Sequence, residues 1–179
     1  MPVRSTDDPA IKAMKGIHLY HYSQSNCAMR IRIALEEKNL PWTSHYINLD
    51  TQDNLTDEYF WIHPHGLVPS MVHDGEIIYE SSDILRFLEK NYPEPSLIPQ
   101  DPEQQTEMEE WLDMTRDLHI KVIKVWVYGT ERYRSKTHES MADYITKQPK
   151  ILFTTNLVAV ERSDAFVWFV IRELGRVAV

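Results

Sequence analysis

The spacing of apolar and polar positions changes several times along this chain, and each change marks an element. Residues 17–22 (IHLYHY) alternate, which reads as a strand. Residues 27–38 shift to helical spacing. Ala28, Ile31, Ala34 and Leu35 share one stripe, and Glu36-Glu37-Lys38 closes it on a polar note. Asn39-Leu40-Pro41 breaks the helix, and residues 43–49 read as a second strand. Residues 50–65 are irregular, with a helical turn near 57–61. Residues 70–73 and 76–79 form two short apolar runs around Asp74-Gly75, a pair that suits a two-residue hairpin because both turn positions need positive φ. After Glu80-Ser81-Ser82-Asp83, the apolar positions Ile84, Leu85, Leu88 and Tyr92 return to helical spacing. Serine and aspartate at such a start can satisfy the orphan N–H groups of the first turn.

The predicted order is strand-helix-strand, a loose helix, then strand-strand-helix. A strand-helix-strand unit implies a parallel pair with a right-handed crossover. Asn91-Tyr92-Pro93-Glu94-Pro95 reads as a linker. Asp101-Pro102 then opens a long helix, with Asp as N-cap and Pro at the first helical position. Met108, Trp111, Leu112, Thr115, Leu118, Val122, Val125 and Trp126 keep its spacing. Residues 141–147 suit a further helix, whereas 151–160 and 165–171 are β-branched and aromatic and look strand-like as much as helical. The expected organisation is a loose leader over 1–16, an α/β domain over 17–92, a linker over 93–101 and a helical domain over 102–179, atypical after 149.

Composition narrows the function classes. The formal charge of −8 argues against nucleic acid or an anionic membrane as main partner. The single cysteine, Cys27, rules out an intrachain disulfide and fits a reducing compartment. No apolar run is long enough to span a bilayer, and residues 1–15 lack the apolar core of a signal peptide. The expected setting is therefore cytoplasmic. No metal is expected.

The ordered set Val68-Pro69, hairpin, Glu80-Ser81, helix resembles the glutathione-binding half of the glutathione transferase family. The resemblance implies a thioredoxin-like α/β N-terminal domain followed by an all-α C-terminal domain, here shortened. It also implies glutathione as co-substrate, an electrophilic small molecule as partner and a homodimer. By the same resemblance, Val68 before a cis Pro69 pairs its backbone with the cysteinyl part of glutathione. Glu80 and Ser81 hold the ammonium and carboxylate of its γ-glutamyl part. The chemistry is sensible by itself, since a carboxylate suits an ammonium and a hydroxyl beside helix N–H groups suits a carboxylate. Leu67 stands where many relatives place Gln, Lys or Glu.

In a thioredoxin-type fold the reactive group sits where the first strand meets the first helix, here Ser23-Gln24-Ser25-Asn26-Cys27. A sulfur held there faces the positive end of a helix dipole, which favours its anion. The segment 25–35 (SNCAMRIRIAL) resembles the Ser-Ser-Cys turn and Arg-x-Arg helix of zeta-class enzymes, the maleylacetoacetate isomerases, with Asn26 replacing the middle serine. With Leu19-Tyr20-His21-Tyr22 before it, the segment also resembles the Ser-x-Cys turn of tetrachlorohydroquinone reductive dehalogenases. Ser25 is expected to polarise the glutathione sulfur, and Cys27 to attack a glutathionyl conjugate if a mixed disulfide forms. Three readings stay open: a conjugating transferase, a dehalogenase or isomerase using Cys27, and a non-catalytic binding protein of the same fold. Trp111, Thr115 and His119 are candidates for the electrophile pocket. Arg30 and Arg32 are expected to be structural ion-pair partners.

Overall fold

The computed structural model describes residues 3–4 and 6–118. The chain divides into two units, Met1–Glu109 and Glu110–Val179, each taken by itself below.

The first unit is built on a five-stranded sheet. Its strands are β1 (Val3–Arg4), β2 (Ile17–His21), β3 (Trp42–Tyr46), β4 (Ser70–His73) and β5 (Glu76–Tyr79), in the order β1-β5-β4-β2-β3. β2 and β3 run parallel, joined through helix α2 (Asn26–Glu37). The other pairs are antiparallel. The hairpin has the expected register, Ser70 opposite Tyr79 and His73 opposite Glu76, and its turn residues Asp74 and Gly75 have φ of 49° and 87°. This is the thioredoxin-type arrangement that the order of elements predicts.

Helices cover both faces of the sheet. On one, α2 and α4 (Ser81–Asn91) pack Ile31, Ala34, Leu35, Ile84, Phe87 and Leu88 against Leu19, Met71 and Ile78. On the other, α1 (Pro9–Lys12) and α3 (Asp57–Ile62) bring Ile11, Tyr59 and Ile62 to Tyr20, Val72 and Ile77. Truncating a fully buried residue here, such as Leu88 to Ala, costs about 2–5 kcal/mol. The alternation of 17–22 therefore does not record a half-solvated strand. His21 is buried, with Nε2 2.7 Å from Ser44 Oγ, and His18 Nδ1 lies 2.9 Å from His45 Nε2.

Two local expectations differ from what forms. The segment 1–16, expected as a loose leader, carries two described elements. β1 adds to the sheet edge with Val3 opposite Ile78, and α1 buries Ile11. Asp8 caps α1 through Oδ1, accepting the Ala10 N–H at 2.8 Å, with Pro9 next in line. It is the same Asp-Pro signal that marks the later long helix. The second strand stops at Tyr46 rather than Leu49, because Asn48 and Asp53 turn the chain by bonding nearby backbone N–H groups. The helical turn expected near 57–61 forms as α3, preceded by a 3₁₀ turn at Asp53–Leu55.

Lys38, at the C-terminal end of α2, has a fully buried side chain. Its ammonium donates to the Tyr92 and Pro95 carbonyls, each at 2.8 Å, and pairs with Glu89 Oε1 at 2.9 Å. Three donors meet three acceptors. Glu89 Oε1 also accepts the Leu97 N–H.

The long helix forms as α5 (Pro102–Leu118), with Asp101 Oδ1 accepting from the Glu103 and Gln104 N–H groups. Its last described residues are those of the second unit. The predicted helix at 141–147 and the strand-like stretches at 151–160 and 165–171 lie outside the described residues. No helix among the described residues is long and apolar enough to cross a membrane.

Candidate functional site

The turn after β2 places Ser25 as the N-cap of α2. Its Oγ accepts the Ala28 N–H at 3.2 Å, and its carbonyl accepts the Met29 N–H. With Oγ used as an acceptor, the hydroxyl proton is left to donate outward. Cys27 follows in the first helical turn, half-buried and not in a disulfide. Tyr22, the last residue before the turn, is engaged elsewhere. Its hydroxyl donates to Asp50 Oδ2 at 2.5 Å, which with burial pushes the phenol up to about 12. Ser25 and Cys27, the residues expected to act in this turn, are both partly exposed.

The loop before β4 is held from α3 and the turn ahead of it. The Tyr59 hydroxyl donates to the Leu67 carbonyl at 2.6 Å, and Asn54 Nδ2 donates to the Gly66 carbonyl at 2.7 Å. Burial pushes the Tyr59 phenol well above its ordinary value, so it remains a donor. Gly66 has φ 58°, and a Cβ there would stand 2.9 Å from the Asn54 carbonyl oxygen. The Val68-Pro69 bond that follows is cis, as the family pattern implies. Among the described residues no hydrogen bond engages the Val68 N–H or C=O. The Leu67 side chain is exposed.

At the start of α4 the expected serine capping does not occur. Glu80 occupies the N-cap position with φ 72°, and no side chain caps the helix. Ser81 and Ser82 are the first helical residues and are buried. Ser81 Oγ instead accepts a hydrogen bond from Arg30 Nη2, reaching across from α2. The α4 N–H groups are therefore left without a side-chain acceptor at a place that favours an anion.

Among the described residues the two arginines of α2 do not act as the expected structural ion-pair partners. Among the described residues neither forms a salt bridge. Arg30 goes to Ser81, and Arg32 Nη2 donates to the Ser23 carbonyl in the turn at 3.2 Å. Burial lowers the Arg30 pKa from its ordinary value, while the nearby Cys27 and Glu80 act in the opposite sense. Arg30 thus ties Ser81 at the start of α4 to the helix that Ser25 caps and that carries Cys27. The sequence carried both arginines but not their direction, which depends on how α2 and α4 pack. Tyr59 and Asn54, which fix the loop backbone, were also missed, because nothing in their spacing marks the residues they hold.

Of the electrophile-pocket candidates, Trp111 and Thr115 belong to the second unit. Trp111 is exposed, and Thr115 Oγ1 donates to the Leu112 carbonyl in its own helix. His119 lies outside the described residues. Among the described residues no group of three or more His, Cys, Asp or Glu side chains could hold a metal ion.

Residues 19–96 match the family model described as glutathione S-transferase, N-terminal domain. The chain is 40% identical over 85 residues to glutathione S-transferase 1 of Dianthus caryophyllus, covering 48% of this chain and 38% of that protein. It is 38% identical over 87 residues to maleylacetoacetate isomerase of Pseudomonas aeruginosa, covering 47% and 41%. The chain thus spans about two fifths of the length of these curated relatives. Among solved structures it resembles the beta-etherase LigF of Sphingobium sp. strain SYK-6, with TM-score 0.65 and 24% identity over 90% of this chain and 68% of that one. It also resembles a theta-class glutathione S-transferase of Xanthomonas axonopodis pv. citri solved with glutathione bound, with TM-score 0.58 and 24% identity over 81% and 70%. These structural likenesses support the thioredoxin-like α/β fold of the N-terminal part.

Proposed function

We propose that this chain, whose residues 19–96 carry a glutathione S-transferase N-terminal domain, binds glutathione and directs its sulfur at an electrophilic small molecule. The observation that carries the reading is the start of α4. A helix N-terminus without a side-chain cap, with Ser81 buried beside it and Glu80 exposed at its head, suits the zwitterionic end of a γ-glutamyl peptide. The cis Val68-Pro69 loop offers a backbone N–H and C=O to the cysteinyl part, in the manner of adding a strand.

Ser25 is the activating group in this reading. Its oxygen is anchored by the Ala28 N–H, so the O–H is free to donate to a sulfur anion. The positive end of α2 adds to that stabilisation. Leu67 contributes an apolar side chain at the edge of the peptide site.

A second reading is supported by the relatives named maleylacetoacetate isomerase. A thiolate that adds to an activated double bond, allows rotation about the resulting single bond and then leaves would isomerise a cis alkene and regenerate glutathione. Ser25 serves that cycle equally well, and Cys27 stands close enough in sequence to take part.

Titration calorimetry of the full chain with glutathione tests the proposal, followed by turnover of an aryl chloride and of a cis-enone. Saturable binding with turnover of either electrophile is expected. Absence of glutathione binding would overturn the reading. Binding with no turnover of any electrophile would leave a non-catalytic glutathione-binding protein.

A further inference from the structure

The turn that carries Ser25 has little apolar packing to hold it. Between the buried Tyr22 and the buried Ala28, none of the five intervening residues is buried. Exposed turns of this kind are the first parts of a fold to move. The Ser25 hydroxyl must nevertheless be aimed, because a displacement of about 1 Å can cost on the order of a hundredfold in rate.

Two side chains from outside the turn close on Ser23. Arg32 Nη2 donates to the Ser23 carbonyl at 3.2 Å, and the Tyr46 hydroxyl lies 3.3 Å from Ser23 Oγ. Arg32 stands about two helical turns beyond Ser25 on α2. Helical side chains lean toward the N-terminus, so Arg32 reaches back to the segment that its own helix follows. Tyr46 comes from β3, with its ring edge-on to His21. Among the described residues Arg32 forms no salt bridge, and its Nε–H is buried without a hydrogen-bond partner. The Ser23 carbonyl is thus the acceptor that this guanidinium serves. The Ser25 N–H donates to the Tyr22 carbonyl at 3.1 Å, so a shift of Ser23 passes to Ser25 through one tight turn.

We propose that Arg32 and Tyr46 are positioning residues for Ser25: by clasping Ser23 through its carbonyl and its hydroxyl, they hold the turn so that the Ser25 O–H points at a bound sulfur anion. Both act through Ser25 rather than on the ligand. The proposal rests on the reading of Ser25 as the group that activates glutathione, and adds to it what keeps that group aimed.

The test titrates the thiol of bound glutathione on the full chain, followed by the ultraviolet absorption of the thiolate. In Arg32→Met the thiol should ionise at higher pH, leaving about tenfold less thiolate near neutrality. Arg32→Lys, which keeps one donor, should recover part of that loss. In a Ser25→Ala background Arg32→Met should add nothing, because the hydroxyl it aims is gone. An effect of equal size in that background would mean that the guanidinium acts through space or on the fold at large, and would overturn the proposal. So would an unchanged titration in Arg32→Met, or in Ser25→Ala itself. S-methylglutathione has no thiol to ionise and should bind Arg32→Met and the unmodified chain alike. Weaker binding to the variant would place the damage in the peptide site and also overturn the proposal. Should Arg32→Met fail to fold, Tyr46→Phe removes a hydroxyl from an exposed ring and should shift the titration the same way. No shift there would overturn the proposal. If S-methylglutathione does not bind the unmodified chain, the functional reading falls first, an outcome distinct from binding with an unmoved thiol.

Discussion

The Tyr59 hydroxyl donates to the Leu67 carbonyl at 2.6 Å. Through that bond a helix on one face of the sheet fixes the backbone one residue before Val68-Pro69. Together with Asn54 on Gly66, it means that the proposed peptide-pairing loop is held by side chains that would not touch the peptide.

Tyr59→Phe removes the donor and keeps the ring. The Leu67 carbonyl loses its buried partner, so stability should fall by about 1–3 kcal/mol, read by urea unfolding. Glutathione affinity should fall several-fold as the loop relaxes. A variant that loses stability but binds glutathione as tightly as before would show that loop geometry does not set affinity.

Glu80 holds a positive φ that costs a non-glycine residue on the order of 1 kcal/mol. Glu80→Gly should therefore melt at the same or a higher temperature than the unmodified chain, while glutathione affinity drops about tenfold or more. Glu80→Ala should lose the same affinity with no gain in stability. Retained affinity in both variants would remove Glu80 from the site.

Ser25 and Cys27 can be separated by substitution. Ser25→Ala removes both the N-cap acceptor and the outward donor. The cap costs about 1 kcal/mol of stability. Losing a donor to the sulfur anion should slow conjugation on the order of a hundredfold at neutral pH and raise the pKa of bound glutathione. Cys27→Ser should leave simple conjugation nearly unchanged. If Cys27 resolves a glutathionyl intermediate instead, Cys27→Ser should stall with a conjugate visible by mass spectrometry. Full rate in Ser25→Ala across the pH range, with loss in Cys27→Ser, would reverse the assignment.

Two histidines link the fold to pH. Burial lowers the pKa of His21, helped by Arg32 and His45, and burial lowers that of His45, helped by His18. A histidine whose folded pKa lies below its unfolded value takes up a proton on unfolding. Stability is then complete above about pH 6.5 and declines as pH falls from there toward the lowered folded values. Chemical denaturation between pH 5 and 8 should show this slope. His21→Gln should flatten it, and a slope unchanged in that variant would exclude His21 as its source.

Much of the α/β half was legible because its signals are local. Asp74-Gly75 dictated the hairpin, and the 28-31-34-35 stripe dictated the buried face of α2. Asp101-Pro102 fixed the start of α5 to the residue. Asp8-Pro9 carried the same signal but was passed over, because an acidic, polar stretch around a four-residue helix offers no periodicity to read. β1 was beyond reach, since two residues added to a sheet edge are specified by the strand they join. The site was half legible. Ser25, Val68, Glu80 and Ser81 follow from an ordered motif, whereas Arg30, Arg32, Tyr59 and Asn54 act across distances that only packing creates. Ser81 looked like a cap. Its oxygen turned out to be claimed by an arginine on another helix.

The Lys38 ammonium sets a rule for where this lobe can be cut. Every strand of the sheet and both helices of its main core lie before Tyr92. A fragment ending at Asn91 would therefore look complete on a diagram. It would nevertheless bury a cation stripped of the Tyr92 and Pro95 carbonyls, and it would free Glu89 from Leu97. Removing partners from a buried charge costs about 3–5 kcal/mol, a large share of what a lobe of this size can spare. The smallest self-sufficient piece should extend past Leu97. Two fragments differing only in that short proline-rich tail should part company on heating, the longer one melting in a single sharp transition and the shorter one not.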